Sequence, residues 1–314
     1  MNNLPQTLPQ TRSTSQDLPH QQLFLKQTNH NSKPGKNMDT GDYYQPIVPT
    51  TLTTPVDAID YNMHHRYRGI CLILENEHFA RTGVTRDLSS RVGSKVDTNS
   101  LVEIFTKLSF EVHVRRDLTA AGVKETLKQV AMLDHKDFDC FACIVLTHGD
   151  HGNLYAYDGR YAIDHLFNYF LGDKCPSLIG KPKLFFIQAC QGSRLDRGVV
   201  VSTDAIDAAT YFKIPTYADF MIAYSTLPGF YSFRNTEKGS WFIRSLVQVL
   251  HDYHLSYDLL SMMTMVCHKV AYYFSSNAAN PEFSGMKQVP CITSMLTRRV
   301  FLHPKAKNRM IVQV

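Results

Sequence analysis

The sequence has no apolar run near the roughly 18 residues that a membrane span requires. Its N-terminus, MNNLPQTLPQTRSTSQ, has no basic stretch leading into an apolar core. Neither a membrane nor a secretory destination is expected. A charge excess is also missing: 33 Lys+Arg stand against 28 Asp+Glu, a net +5 over 314 residues. So mild a balance calls for no nucleic-acid partner. No G-x-G-x-x-G, no G-x-x-x-x-G-K-[ST] and no internal repeat occurs, which removes the simplest nucleotide-binding readings. Cysteine is sparse and odd in number: the seven are 71, 140, 143, 175, 190, 267 and 291. Four lie in or beside apolar runs, as reduced cytoplasmic thiols do, not as a disulfide framework does. His148 and His151 are three apart with no Cys or His cluster nearby, so neither metal nor cofactor is expected.

What the chain does have falls into zones. Residues 1–60 hold 7 of the 14 prolines, with aromatics limited to Phe24, Tyr43 and Tyr44. Such a segment cannot offset its ordering entropy by burial, so a disordered arm is expected there. Beyond it, short apolar runs alternate with helical patterns. GICLIL (69–74), FEVHV (110–114), FDCFACIVL (138–146), KLFFIQAC (183–190), ADFMIAYST (218–226) and VPCITSML (289–296) read as strands. Leu101, Ile104, Phe105 and Leu108 mark one helix, capped by Thr98 or Asn99; Val123, Leu127, Val130 and Ala131 mark a second. IDHLFNYF (163–170) reads as a short helix, and 240–254 and 258–274 as longer ones. Strands apolar throughout and spaced by helices predict an α/β fold, a mostly parallel six-stranded sheet with helices on both faces. Residues 192–213 break the pattern and carry three Asp, marking a linker between two halves of one domain.

Two strands end in reactive residues. One runs into Thr-His148-Gly149-Asp150, the other into Gln188-Ala189-Cys190-Gln191-Gly192. The carboxyl ends of parallel strands carry the site in open α/β sheets, so an imidazole and a thiol can meet across one crevice. The bland alternatives are a buried structural Cys and a loop His. Cys140 and Cys143 lie within a strand and point to opposite faces, which makes them core rather than a redox pair. His64 and His65 read as surface.

Gln188-Ala189-Cys190-Gln191-Gly192, with His148-Gly149 upstream, resembles the active-site sequence of caspases. The resemblance runs from about 60 to 303. It includes Arg91-Val-Gly-Ser-Lys-Val-Asp97, Gly180 to Cys190, Ala218 to Thr226, Pro228 to Asn235, Gly239-Ser-Trp-Phe242 and Gln288 to Leu296. The chain looks most like the short-armed effector members of arthropods. The resemblance implies a cysteine endopeptidase that cuts after Asp in apoptosis. Cys190 is the implied nucleophile, His148 the acid/base, and the N–H groups of Gly149 and Cys190 the oxyanion donors. Arg91, Gln188 and Arg234 are the implied ligands of the substrate carboxylate in the S1 pocket. Ser232 and Phe233 match the strand that pairs with substrate, and Asn235 the contact to an acidic P4 residue. Phe233 departs from the family's usual Trp, and Asn277 and Ala279 stand where effector members often place aromatics; Glu282-Phe283 keeps one.

The resemblance also implies a zymogen with a 61–204 large subunit and a 205–314 small subunit. Cleavage is expected after Asp204, with Asp207 and Asp196 as weaker alternatives. The arm is expected to be removed at Asp42, Asp57 or Asp60. A cut after Asp57 exposes Ala58, a candidate handle for inhibitor-of-apoptosis proteins. Implied partners are protein substrates with exposed Asp-containing loops, an upstream initiator caspase, and a second copy of the chain, joined through the strand at 289–296. Three competing readings remain: an inactive caspase-like scaffold, another protease of the same broad class such as a metacaspase-like or legumain-like one, and a flavodoxin-like binding module.

Overall fold

The structure, a computed structural model, describes residues 53–55, 57–195, 218–277 and 280–305. In chain order it comprises β1 (Ile70–Glu75), α1 (Ser94–Lys107), β2 (Glu111–Arg116), α2 (Ala120–Ala131) and β3 (Phe141–Leu146). Three short strands follow: β4 (Gly149–Asp150), β5 (Asn153–Tyr155) and β6 (Arg160–Ala162). Then come β7 (Lys183–Gln188), β8 (Phe220–Tyr224), β9 (Arg234–Asn235), β10 (Gly239–Ser240), α3 (Trp241–Tyr253), α4 (Leu259–Tyr273) and β11 (Cys291–Ser294). Six strands make the central sheet in the order β11-β8-β7-β3-β1-β2. All neighbours pair parallel except β11, which runs antiparallel to β8. The expected α/β architecture is thus observed.

The inner strands β1, β3, β7 and β8 divide their side chains between two cores. Cys71, Ile73, Ala142 and Ile144 face the side covered by α1, α3 and α4. Ile70, Leu72, Leu74, Phe141, Cys143 and Val145 face α2 and the 163–178 segment. Burial of both faces explains why these strands read as unbroken apolar runs. Cys140 and Cys143 fall in opposite cores, as expected.

Several local expectations are corrected. The first marked helix begins at Ser94, with Gly93 as its cap at φ 86°, so Thr98 and Asn99 lie inside it. A Cβ on Gly93 would sit 2.1 Å from the Thr236 carbonyl oxygen, so close backbone approach, not a capping side chain, sets this end. The 163–170 helix is two 3-10 turns, Ile163–Leu166 and Asn168–Phe170. Residues 149–162 form a small antiparallel sheet that the apolar pattern does not announce. His65 is half-buried, its Nδ1 3.1 Å from the buried Asp139 carboxylate. The arm's expected end also shifts. The Arg299 N–H donates to Ile59 O and the Tyr61 N–H to Arg299 O, joining 59–61 to the body. Asp60 pairs with Arg299 at 2.6 Å. Asp42, Asp196, Asp204, Asp207 and Ala279 lie outside the described residues.

Candidate active site

The site grows from two neighbouring strands. In the β3–β7 register Leu146 lies opposite Gln188. The Thr147 N–H donates to Gln188 O at 3.1 Å, so pairing continues past the strand ends. Two residues further on each chain, His148 and Cys190 emerge on the same edge. Both line one cavity of about 480 Å³ with Arg91, Gln188, Ser232, Phe233, Arg234 and Asn235. Every side chain singled out for catalysis or substrate binding therefore meets in one place.

Gly149 packs beneath the nucleophile candidate: a Cβ there would lie 2.5 Å from Cys190 O and 3.0 Å from Ala189 Cβ. Only glycine lets the 149 backbone approach so closely. His148 Nε2 lies 2.8 Å from the Ser89 carbonyl oxygen. A carbonyl can only accept, so Nε2 carries the hydrogen and Nδ1 keeps its lone pair as the basic nitrogen. Burial pulls the His148 pKa down to about 4, a Ser89 bond opposes this, and the charges of Arg91 and Arg234 add to the lowering. The imidazole is accordingly neutral at pH 7. The Cys190 sulfur accepts from the Ser232 N–H at 3.5 Å. Burial raises the thiol pKa, while that N–H and the two arginines oppose the rise. The resting pair is a neutral thiol beside a neutral imidazole, which suits proton transfer concerted with attack.

Arg91 reaches the cavity from the turn before α1, and Arg234 from β9. Arg91 is 3% exposed. Its Nη1 donates to Ser94 Oγ at 2.9 Å and Asn76 O at 3.3 Å. Arg234 Nη1 donates to Val92 O. Among the described residues neither guanidinium has a carboxylate within ion-pair distance. Burial, then repulsion from Arg234, lowers the Arg91 pKa to about 10. Two like charges on a largely dry floor make a site for an anion. Gln188 is 2% exposed; its Nε2 donates to Ser232 Oγ at 2.8 Å while Oε1 has no partner among the described residues.

The outer wall is aromatic. Phe233 stacks on Trp241 at 4.8 Å, and Trp241 on Phe274 at 5.4 Å. Asn235 spends its side-chain oxygen on the N–H groups of Glu237 (2.9 Å) and Lys238 (2.8 Å), leaving its amide NH2 for a ligand. Ser275, Ser276, Asn277 and Phe283 close the far end. Sequence reasoning missed Tyr231 and Trp241 as lining residues, although Trp241 sits in the quoted Gly-Ser-Trp-Phe motif. It also missed the Ser89 carbonyl, which no side-chain motif can signal. Among the described residues no group of three or more metal-ligating side chains occurs. None of the described helices is long and apolar enough to cross a membrane.

Comparison with known proteins agrees with this geometry. The caspase domain family (Peptidase_C14) matches residues 68–301. Caspase-1 of Spodoptera frugiperda is 44% identical over 286 residues, 90% of this chain and 94% of that protein. Caspase drICE of Drosophila melanogaster is 45% identical over 253 residues, 79% of this chain and 73% of that protein. The crystal structure of the Spodoptera frugiperda caspase-1 superposes with a TM-score of 0.76 at 43% identity, covering 83% of this chain and all of that one. The chain belongs to the caspase family and is a cysteine-type endopeptidase.

Proposed function

We propose that the protein is an effector caspase that cuts proteins after Asp, through Cys190, His148 and a carboxylate pocket made by Arg91, Gln188 and Arg234. The observation that carries this reading is the pair of arginines sharing the Cys190 cavity with no carboxylate within ion-pair distance among the described residues. The aspartate of a substrate supplies one. Each guanidinium keeps donors beyond those already engaged, and carboxylate suits their forked geometry. A basic P1 side chain would meet two positive charges, which disfavours a basic-P1 protease such as a metacaspase-like one. A flavodoxin-like module would need a phosphate loop, which the sequence does not show, and an inactive scaffold would have no need of all five residues.

The Cys190 thiol gives its proton to His148 Nδ1 as sulfur attacks the scissile carbonyl. The N–H groups of Gly149 and Cys190 receive the developing oxyanion. His148 then protonates the leaving amine, and water hydrolyses the acyl-enzyme with the same imidazole as base. The Ser232–Phe233 segment pairs with the substrate as an added strand. The Asn235 amide and the wall of Ser275, Ser276, Asn277 and Phe283 suit a polar or acidic P4 side chain.

As a zymogen, the chain is cut after Asp204 by an upstream initiator caspase, which separates a large subunit ending at Asp204 from the small subunit 205–314, and it acts in apoptosis. Asp207 and Asp196 are secondary candidates. For the arm, Asp57 and Asp42 are better candidates than Asp60, since cutting Asp60–Tyr61 would break the flanking bonds to Arg299 and expose the buried Tyr61. A cut at Asp57 would present Ala58 to inhibitor-of-apoptosis proteins. β11 is an edge strand antiparallel to β8 and suits pairing with a second copy. All seven cysteines are unpaired, as in a reducing cytoplasm.

The test uses four fluorogenic tetrapeptides identical except for Asp, Glu, Asn or Lys at P1. Cleavage of the Asp peptide alone, abolished by Cys190→Ala, is expected. A folded chain cut after Asp204 but inert on all four would overturn the reading. N-terminal sequencing of the processed small subunit is expected to begin at Ala205.

A further inference from the structure

The two arginines of the cavity sit on separate segments, and those segments are fastened to each other along their length. The first is Arg91 to Asp97, the turn into α1; the second is Arg234 to Ser240, the β9–β10 hairpin. Arg234 Nη1 donates to the Val92 carbonyl at one end. In the middle, Gly93 lies against Thr236 so closely that a Cβ would be 2.8–2.9 Å from the Thr236 carbonyl carbon and Cα. At the far end, the Ser240 N–H donates to Asp97 Oδ1 at 2.8 Å. A Cβ on Gly239, which has φ +84°, would come within 2.4 Å of that same oxygen. The carboxylate therefore occupies the space that a side chain at 239 would need.

Asp97 is 1% exposed, and its second oxygen has no hydrogen-bond partner among the described residues. A buried carboxylate oxygen left unpartnered is costly and calls for a reason. The cationic groups whose charges act on it are Arg91 and Arg234. Conversely, Asp97 is the foremost charge acting on Arg234, and after Arg234 itself the foremost acting on Arg91.

We infer that Asp97 is a positioning residue for recognition of the P1 carboxylate. It clamps the hairpin bearing Arg234 to the helix whose entry turn bears Arg91, so that two mutually repelling guanidinium groups are held at one spacing. This deepens the proposed function and rests on it. It gives the clamp a further task, because cleavage of the linker leaves Arg91 and Arg234 on different chains. The contact at Ser240 then acts between subunits.

The test measures KM and kcat on the Asp tetrapeptide for Asp97→Ala and Asp97→Asn in the processed, full enzyme. Iodoacetamide alkylation of Cys190 and thermal melting are followed in parallel. Asp97→Ala loses a hydrogen bond from a buried charge, so KM is expected to rise roughly 10-fold. Asp97→Asn keeps an acceptor for the Ser240 N–H but loses the charge, and a smaller rise, about 3-fold, is expected. In both, kcat and the alkylation rate stay within about 2-fold, since neither the thiol nor the imidazole is touched. A residue that merely stabilises the fold would lower the melting temperature and leave KM unchanged, because KM does not depend on how much enzyme is active. Unchanged KM in the variants of an active enzyme overturns this inference alone. If Asp97→Ala fails to fold, an unchanged KM in Asp97→Asn does the same. A wild-type chain that does not cut after Asp overturns the proposed function, and this inference with it.

Discussion

His148 donates its Nε2 hydrogen to the carbonyl of Ser89, 59 positions earlier in the chain, at 2.8 Å. That single contact fixes the tautomer and leaves Nδ1 as the nitrogen able to take the Cys190 proton. The bond comes from a backbone oxygen, so no substitution of a partner side chain mimics its loss, and its consequences are best read through pH.

The His148 pKa lies near 4, below the 6.5 of an unfolded chain, chiefly because the ring is buried. The folded protein therefore resists protonating it. Stability from the neutral ring is present above pH 6.5 and drains away as pH falls through 4. The acid limb of kcat/KM is expected near pH 4–5 rather than 6.5. A limb near 6.5 in the free enzyme would contradict the burial of the ring.

Replacing Arg91 or Arg234 by Met removes one of the two forks proposed to hold the P1 carboxylate. Each is expected to cost about 1.5–3 kcal/mol of transition-state binding, or roughly 10- to 150-fold in kcat/KM on the Asp peptide. The Asp-to-Asn preference at P1 should narrow in both variants. Equal losses on the Asp and Asn peptides would mean that the arginines do not read the carboxylate.

Gly149→Ala forces a methyl group against the Cys190 carbonyl at 2.5 Å, and backbone must move to admit it. Displacing the 149 N–H from the oxyanion position is expected to lower kcat by about 100-fold or more. The check is single-turnover acylation, with circular dichroism to show that the fold persists.

Lys183 is a buried cation in the sheet, its Nζ bonded to the carbonyls of Leu178 (3.1 Å) and Lys181 (3.0 Å). Burial lowers its pKa to about 8 from the ordinary 10.5. The unfolded chain thus holds more protons between those values, and stability from this group rises with pH across 8–10.5. Lys183→Met should flatten that rise relative to wild type in denaturation series run at pH 7.5, 9 and 10. Parallel pH profiles for the two proteins would contradict it.

Much of the fold was legible in the sequence because the sheet is buried on both faces. Phe141–Leu146 is fully buried and apolar along its length, and Lys183–Gln188 is fully buried with an apolar Leu184–Ile187 centre, so both read as apolar runs. The 149–162 strands were not legible, since two- and three-residue strands carry too few positions to show a period. Nor was the start of α1, where close packing of Gly93 on Thr236 replaced a capping side chain.

The sequence by itself determined that a thiol and an imidazole stand just past the ends of two apolar strands, because strand length and polarity are local properties. It also determined, through the spacing of its motifs, membership of the caspase family. Tertiary structure alone decided that Leu146 and Gln188 are register partners, which brings His148 and Cys190 to one edge. It alone placed Arg234 against Val92, 142 positions away. It also buried Asp97 beneath Ser240 and turned the His148 ring toward Ser89. Each of these depends on contacts between segments distant in the chain, and no local pattern of residue types encodes a distance between such segments.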